Sequence, residues 1–240
     1  MDREKVPSVT VDIAQETRED FTVLDEASGR QYRFVLPGPV LTEAEWHRCL
    51  EMFSLVDWTP EYIVASGSLP SGVPDDGYAE LARLARKRGS KLILDASGAP
   101  LAAALREGVW LVKPNLRELQ ELGGQSMAQE AEWVRATRKL VDDGQAQVVA
   151  VTLGHHGALV TTADGTFRAP ALEIRPVSAV GAGDSFLGAM VWSLAQGMSM
   201  AEALRYGVAG GSSAVLNPGT ELCHADDVHR LYPKVGLSCI

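Results

Sequence analysis

The chain has 240 residues, and 46% of them are hydrophobic, which is enough for the core of one large domain or two small ones. Its 22 lysines and arginines stand against 31 aspartates and glutamates, a formal net charge of −9, so it offers no broad cationic surface for nucleic acid or an anionic membrane. No apolar run approaches the ~20 residues of a membrane-spanning helix and residues 1–15 lack the apolar stretch of a signal peptide, so we expect a cytoplasmic protein with no nucleic-acid or membrane partner.

The first part of the chain has the pattern of short strands. Apolar and polar residues alternate at residues 9–13, 21–24 and 31–35, which predicts two or three antiparallel strands in a β-rich segment over residues 1–38. Beyond that segment, Thr42 is followed three residues later by Glu45. This is the spacing of a capping box, and it predicts a helix that continues to about Phe53.

Residues 39–240 have the alternation of an α/β body. Short apolar stretches predict strands at residues 62–65, 91–95, 109–112, 148–153 and 158–162, the last of them in a hairpin closed at Asp164-Gly165. Helical patterns are found at residues 75–88, 118–122, 128–143, 182–196, 200–216 and 225–232. This order predicts a mainly parallel sheet with helices on both faces.

A glycine-rich turn precedes the helix predicted at residues 182–196. Gly181, Ala182 and Gly183 leave backbone N–H groups free at a helix start, where the helix dipole adds positive potential, so the turn suits an anion. Asp184 follows directly and has two interpretations. It is either a charge that suits the first turn of a helix, or a general base that takes a proton from a hydroxyl while the N–H groups hold the phosphoryl group under attack.

A second motif, Lys113-Pro114-Asn115-x-x-Glu118, follows a predicted strand directly. Asn115 and Glu118 have the spacing of a capping box. They also share one helix face, on which they could meet a hydrated Mg²⁺ while Lys113 neutralises a nucleotide phosphate. Both interpretations remain open from the sequence.

Two glycine-containing loops add further candidates. Thr152, Gly154 and Gly157 belong to a strand-to-strand turn, which is either a plain hairpin loop or a place where a flat ligand approaches the backbone. The loop of residues 66–72, which contains Gly67, follows the first parallel strand, where open α/β sheets place ligand loops.

Taken together, the four motifs resemble the phosphofructokinase B group of ribokinase-like sugar kinases, where they occur in the same order. Within that family the likeness is to the bacterial type II 6-phosphofructokinases, from about residue 6 to residue 232. It is carried by Thr17-Arg18 and by residues 26–29, 31–35, 95–98 and 216–220. The resemblance implies a ribokinase-like three-layer α/β/α body with a small β-sheet lid, and a homodimer formed through that lid.

The resemblance also implies a reaction. ATP with Mg²⁺ would be the donor and fructose 6-phosphate the acceptor, with tagatose 6-phosphate or fructose 1-phosphate as alternative acceptors. Asp184 would take the proton from the sugar hydroxyl, and the anion hole would consist of Gly181, Ala182 and Gly183. The nucleotide and its metal would meet Lys113, Asn115, Glu118, Thr152, Gly154, Gly157 and Ser212. The sugar phosphate would face Arg18 and Gly67, and K⁺ would bind at Ser178, Val180, Ala214, Asn217 and Gly219.

The sequence departs from that family in three respects. Arg117 stands where related enzymes have lysine in a second, inhibitory ATP site, and Glu221 stands where they have arginine beside the monovalent cation. The family's initial strand with a substrate-binding aspartate, and its Gly-Gly-Lys-Gly segment, are not found in the chain. Because the family's sugar-binding aspartate and Gly-Gly-Lys-Gly segment are not found, we expect the chain to phosphorylate fructose 6-phosphate poorly or not at all. The alternative to an active kinase is a catalytically silent homologue that binds nucleotide or dimerises.

Overall fold

A seven-stranded sheet forms the centre of the computed structural model, which describes residues 6–25, 27–28, 30–55 and 58–240. The strands lie side by side in chain order: β3 (Tyr62–Ser66), β4 (Lys91–Asp95), β5 (Val109–Val112), β6 (Ala146–Thr152), β7 (Ala158–Thr162), β8 (Gly165–Ala169) and β9 (Ser238–Cys239). The strands from β3 to β6 are parallel, and β7, β8 and β9 continue the sheet in antiparallel pairs.

Eight α-helices accompany the sheets in the described residues: α1 (Glu43–Leu55), α2 (Gly77–Lys87), α3 (Gly98–Glu107), α4 (Leu116–Gly123), α5 (Glu130–Asp142), α6 (Ala182–Ala195), α7 (Met200–Ala214) and α8 (Ala225–Leu231). Leu92 and Leu94 of β4 pack with α2 to α5, whereas Ile93 between them packs with α6, α7 and α8. Successive side chains of a strand point to opposite faces, so the central strands are covered on both sides. The three-layer α/β/α prediction is confirmed.

A separate two-stranded sheet precedes the body. It consists of β1 (Asp20–Asp25) and β2 (Arg30–Val35), paired antiparallel with Phe21 opposite Phe34. These are the strands predicted at residues 21–24 and 31–35. Glu26 and Gly29, which belong to the motif that carries the family resemblance, lie outside the described residues.

The strand predicted at residues 9–13 is wrong, because the structure has no strand there. Side chains of α1 bind the backbone of this segment instead: the Ala14 N–H donates to Glu45 Oε1 at 2.7 Å, and Arg48 Nη2 donates to the Asp12 carbonyl at 3.3 Å. Contacts with α1 therefore take the Asp12 carbonyl, which a strand ladder would need, and the Ala14 N–H directly after the predicted strand, and this tertiary context overrides the alternating pattern.

The capping box predicted at the start of α1 is confirmed. The Glu45 N–H donates to Thr42 Oγ1 at 3.3 Å, and the Thr42 N–H donates to Glu45 Oε2 at 2.7 Å. Hydrogen bonds from the Thr42 amide, the Thr42 hydroxyl and the Ala14 amide lower the pKa of Glu45 from its usual 4.5 to about 2. The Glu45 carboxylate thus takes part in the capping box of α1 and also binds the backbone of the segment before β1.

Helices α6 and α7 approach each other closely because small residues line their contact. A Cβ placed on Gly210 would lie 2.6 Å from the Ser185 carbonyl oxygen, and one placed on Gly207 would lie 2.8 Å from Phe186 Cε2. Both distances are shorter than real Cβ contacts allow. The glycines of α7 therefore allow α6, which contains Asp184, to pack closely against α7.

Two elements were not predicted from the sequence. Helix α3 contains Gly98 and Pro100 in its first turn, and both residues are typical of loops, although proline is tolerated in the first turn of a helix. Strand β9 is only two residues long. In the part of the chain that the structure describes, none of the helices combines the length and the apolar character needed to cross a bilayer.

Candidate active site

The carboxyl ends of β4 and β5 bring an aspartate and a lysine together. Leu94 and Val112 are register partners in the parallel pair, so Asp95 and Lys113, which follow them, emerge side by side. Lys113 Nζ lies 3.0 Å from Asp95 Oδ1, and their side chains are 5% and 16% exposed. Burial raises the pKa of Asp95; the Lys113 ammonium counteracts that shift, and the charges of Glu118 and Asp184 add to it.

Asp95 is a candidate site residue that sequence reasoning missed. It was singled out only as part of the family resemblance, with no role attached. Its signal was its position at the carboxyl end of a strand beside the strand that delivers Lys113, which becomes informative once the two strands are known to be neighbours.

The predicted anion-binding turn lies against this ion pair. Gly181, the residue directly before α6, has the left-handed conformation, with φ +76°, and the Ser185 N–H donates to its carbonyl at 2.8 Å. Because Gly181 has no side chain, it cannot accept a hydrogen bond from the amides of the first turn of α6, as a capping side chain would. A Cβ placed on Gly183 would lie 3.6 Å from Lys113 Nζ. An ammonium group and a helix N-terminus therefore converge here, with Asp184 in the same turn.

The segment after Lys113 forms a capping box at the start of α4. The Glu118 N–H donates to Asn115 Oδ1 at 2.9 Å, and the Asn115 N–H donates to Glu118 Oε2 at 2.8 Å. The motif thus forms the capping box that one of its two interpretations predicted. The end of β6 lies beside this segment and is hydrogen-bonded to it: the Thr152 N–H donates to the Pro114 carbonyl at 3.2 Å.

Two predicted glycines flank the turn between β6 and β7. Gly154 and Gly157 have φ values of +59° and +93°. A Cβ on Gly157 would lie 2.2 Å from the Ala169 carbonyl oxygen, so close backbone packing requires glycine there. Among the described residues, no atom would lie within 4 Å of a Cβ on Gly154, which faces open space.

Ser212 lies on α7 beside the start of α6. Its neighbour Gly211 would place a Cβ 3.1 Å from the Ala182 carbonyl oxygen. Ser212 thus follows the glycines at which α7 meets the first turns of α6.

Arg18 and the loop that contains Gly67 are brought together although they are far apart in sequence. Arg18 Nη1 donates to Ser68 Oγ at 3.5 Å, and Arg18 Nε lies 3.5 Å from Asp20 Oδ1. The Gly67 N–H donates to the Asp95 carbonyl at 2.9 Å, which places the loop beside the Asp95–Lys113 pair. Ser68 was not among the predicted site residues, although it lies in the same loop.

The five residues predicted to hold a monovalent cation occupy two adjacent segments. Ser178 Oγ donates to the Gly219 carbonyl at 2.7 Å, and the Val180 N–H donates to Ser178 Oγ at 3.3 Å. The Asn217 N–H donates to the Ala214 carbonyl at 3.1 Å. Over the described ranges, the structure contains no cluster of three or more histidine, cysteine, aspartate or glutamate side chains arranged to hold a metal ion.

Comparison with known proteins matches the chain and its fold to one family. The model of the pfkB family carbohydrate kinases matches residues 1–227. The ATP-dependent 6-phosphofructokinase isozyme 2 of Mycobacterium tuberculosis is 42% identical over 227 residues, which are 95% of this chain and 67% of that protein. The 1-phosphofructokinase of Escherichia coli is 34% identical over 216 residues, 89% of this chain and 68% of that protein. The chain therefore belongs to the pfkB family of carbohydrate kinases, which transfer a phosphoryl group to an alcohol.

Solved structures agree with this assignment. Phosphofructokinase-2 of E. coli, in complex with potassium, superposes with a TM-score of 0.92 at 41% identity, covering 97% of this chain and 75% of that one. Ribokinase of Arabidopsis thaliana superposes with a TM-score of 0.69 at 20% identity, covering 90% and 69% of the two chains, and shows the shared fold. The ribokinase-like fold expected from the sequence motifs is confirmed.

Proposed function

We propose that this kinase transfers the γ-phosphoryl group of ATP to fructose 6-phosphate and forms fructose 1,6-bisphosphate. The observation that carries the proposal is the convergence of the buried Lys113 ammonium, the N-terminal turn of α6 and the Asp184 carboxylate. The first two attract a phosphoryl group and the third accepts a proton. The name of the M. tuberculosis relative supports fructose 6-phosphate, and the E. coli 1-phosphofructokinase keeps fructose 1-phosphate as the alternative acceptor.

In this mechanism Asp184 takes the proton from the acceptor hydroxyl as its oxygen attacks the γ-phosphorus of ATP. The new oxygen–phosphorus bond forms as the bond to the β-phosphate oxygen breaks, and ADP leaves. The backbone amides of Gly181, Ala182 and Gly183 donate to the oxygens of the transferring group, where negative charge is concentrated. Lys113, held in place by Asp95, neutralises part of that charge.

The nucleotide and its metal would lie along the ends of β5 and β6, against Asn115, Glu118, Thr152, Gly154, Gly157 and Ser212. Mg²⁺ commonly retains several waters and binds substrate phosphates with one or two carboxylates. The few acidic groups of the site fit that mode. When bound, Mg²⁺ would neutralise phosphate charge, and Asn115 and Glu118 would contact its water shell.

K⁺ would bind between the two segments that contain Ser178, Val180, Ala214, Asn217 and Gly219. Their approach, with Ser178 Oγ 2.7 Å from the Gly219 carbonyl oxygen, supports this proposal. A hard monovalent cation would be held by oxygen atoms of this loop pair. The potassium complex of the E. coli enzyme is consistent with such a site.

The acceptor would bind between Arg18 and the loop of Gly67. Arg18 already contacts this loop through Ser68, and a guanidinium group suits the phosphate of a sugar phosphate because it can donate two parallel hydrogen bonds. The Gly67 N–H donates to the Asp95 carbonyl, so an acceptor in this loop would border the ion pair.

A coupled assay tests the proposed reaction. ATP consumption by the purified protein is measured with fructose 6-phosphate, tagatose 6-phosphate and fructose 1-phosphate at matched concentrations, and each product is identified by mass spectrometry. We expect the highest kcat/KM with fructose 6-phosphate. A higher value with either of the other sugars would reassign the substrate, and ATP binding without transfer to any of them would identify a silent homologue.

We propose further that the β-rich segment, described here over residues 6–25, 27–28 and 30–38, forms a lid through which two copies of the protein associate. Gln31 Oε1 of β2 lies 3.4 Å from Ser178 Oγ of the body, so the face that contains Gln31 meets the body at that residue, whereas Leu24 and Val35 of the same face are 54% and 56% exposed. Side chains alternate along a strand, and the opposite face therefore points outward. That face presents Phe21, Val23, Tyr32 and Phe34, which are 47–50% exposed, and the two phenylalanine rings stack with centroids 4.9 Å apart.

Phe34→Glu tests the lid interface, because it places a charge in the centre of the outward apolar face. Sedimentation should show a dimer for the parent and a monomer for this variant. Thr22→Glu adds the same charge to the inward face, opposite Arg33, and should remain dimeric. A parent that sediments as a monomer at micromolar concentration would contradict the lid interface.

A further inference from the structure

The loop between α7 and α8 packs one leucine directly on the anion-binding turn. A Cβ placed on Gly181 would lie 2.7 Å from Leu222 Cδ2, so the Leu222 methyl group rests against the backbone that begins α6. The side chain of Leu222 is nevertheless 53% exposed. An open apolar surface therefore borders the amides that would hold the transferring phosphoryl group.

Hydrogen bonds on both sides of Leu222 fix its position. Asn217 Nδ2 donates to the Leu222 carbonyl at 2.7 Å, the Cys223 N–H donates to Ser185 Oγ at 3.3 Å, and the His224 N–H donates to Ser213 Oγ at 3.2 Å. Ser185 directly follows Asp184 in α6. Leu222 is thus held at a constant place relative to the proposed base.

In the proposed reaction, water competes with the sugar hydroxyl as the nucleophile. A carboxylate that accepts a proton from a sugar hydroxyl accepts one from water equally well, so Asp184 cannot choose between the two nucleophiles. Discrimination must come from which of them reaches the phosphorus, and an apolar group excludes water without offering it a hydrogen bond.

We propose that Leu222 is a positioning residue that keeps water away from the phosphoryl group at the Gly181–Gly183 turn, and so directs transfer to the sugar. The inference rests on the proposed function, since it requires a phosphoryl group at this turn. Leu222 itself forms no bond with the reacting atoms and acts by occupying the space beside them.

Leu222→Ala separates this role from a merely structural one. The ratio of ATP hydrolysis without sugar to sugar phosphorylation is measured for the parent, Leu222→Ala and Leu222→Met. We expect the ratio to rise by about tenfold in the alanine variant, through faster hydrolysis relative to transfer, and to stay near the parent value in the methionine variant. A structural defect would lower both rates together and leave the ratio unchanged.

Leu237→Ala is the matched control, because Leu237 is also an exposed leucine but precedes β9 at the edge of the sheet. Its ratio should equal that of the parent. If the parent transfers phosphoryl to none of the three sugars, the proposed function fails. If the parent is a kinase and Leu222→Ala has the same ratio as Leu237→Ala, the role of Leu222 is overturned.

A binding measurement tests the same residue without catalysis. A non-hydrolysable ATP analogue is titrated into each variant at several temperatures to obtain the heat-capacity change of binding. Burial of apolar surface makes this change more negative. It should therefore be less negative for Leu222→Ala than for the parent and Leu237→Ala, and equal values would show that the nucleotide does not cover Leu222.

Discussion

Replacing Asp184 by asparagine should lower turnover by ~10²–10⁴, the usual contribution of a positioned general base. Asparagine keeps the shape of the side chain but does not accept the proton of the sugar hydroxyl. ATP should still bind, because the amides of the α6 turn and the Lys113 ammonium remain. Turnover is measured with the coupled assay, and ATP affinity by titration calorimetry.

Asp226→Asn provides the control for that substitution, because Asp226 is also an acidic residue in the first turn of a helix. If a first-turn carboxylate at residue 184 only stabilised the helix, both variants would lose a little stability and neither would lose turnover. Turnover of Asp184→Asn within a few-fold of the parent would exclude its assignment as the base.

Replacing Lys113 by methionine should weaken ATP binding and also destabilise the fold. The substitution removes one partner of a buried ion pair and leaves the Asp95 carboxylate without its ammonium, which typically costs about 3–5 kcal/mol. Burial already raises the pKa of Asp95, and the loss of Lys113 removes the largest effect that opposes this shift. Burial without a partner penalises the ionised Asp95 carboxylate in the folded state, and protonation removes that penalty. The extra instability of the variant should therefore diminish as the pH falls.

The double substitution Lys113→Met with Asp95→Asn distinguishes the two consequences. With no charge left unpaired, thermal stability should recover substantially, while ATP affinity should stay low because the phosphates have lost their ammonium partner. Lys139→Met is the control for loss of a lysine, since Lys139 is 74% exposed in a surface pair with Asp143. Recovery of ATP affinity in the double variant would show that Lys113 serves the fold alone.

The sequence was sufficient for the features that local patterns determine. The Thr42 and Glu45 spacing correctly predicted the start of α1, and the apolar runs at residues 91–95 and 109–112 correctly predicted buried strands. The motif around Lys113 was also placed correctly at the end of a strand. These segments need no knowledge of their neighbours, because capping and two-sided burial leave their mark in consecutive residues.

Features that depend on tertiary neighbours were beyond the sequence. Residues 9–13 have a strand pattern, but side chains of α1 bind the Asp12 carbonyl within them and the Ala14 N–H directly after them. The contact of Asp95 with Lys113 requires the β4–β5 register. The contact of Leu222 with Gly181 joins the loop after α7 to the residue directly before α6. None of these contacts leaves a periodic signal, so each appears only when the strands and helices are assembled.

Gly157 shows how such an assembly affects the interpretation of variants. It occupies a position where a nucleotide-binding glycine is expected, yet a side chain there would collide with the backbone of Ala169, Pro170 and Ala171. A substitution would force the turn after β6 away from the end of β8, and that displacement would lower ATP binding even without the loss of a contact to the nucleotide. Invariance of such a glycine among related kinases would then record selection on chain packing as well as on ligand contact, and a genetic screen that scores only activity would not distinguish the two.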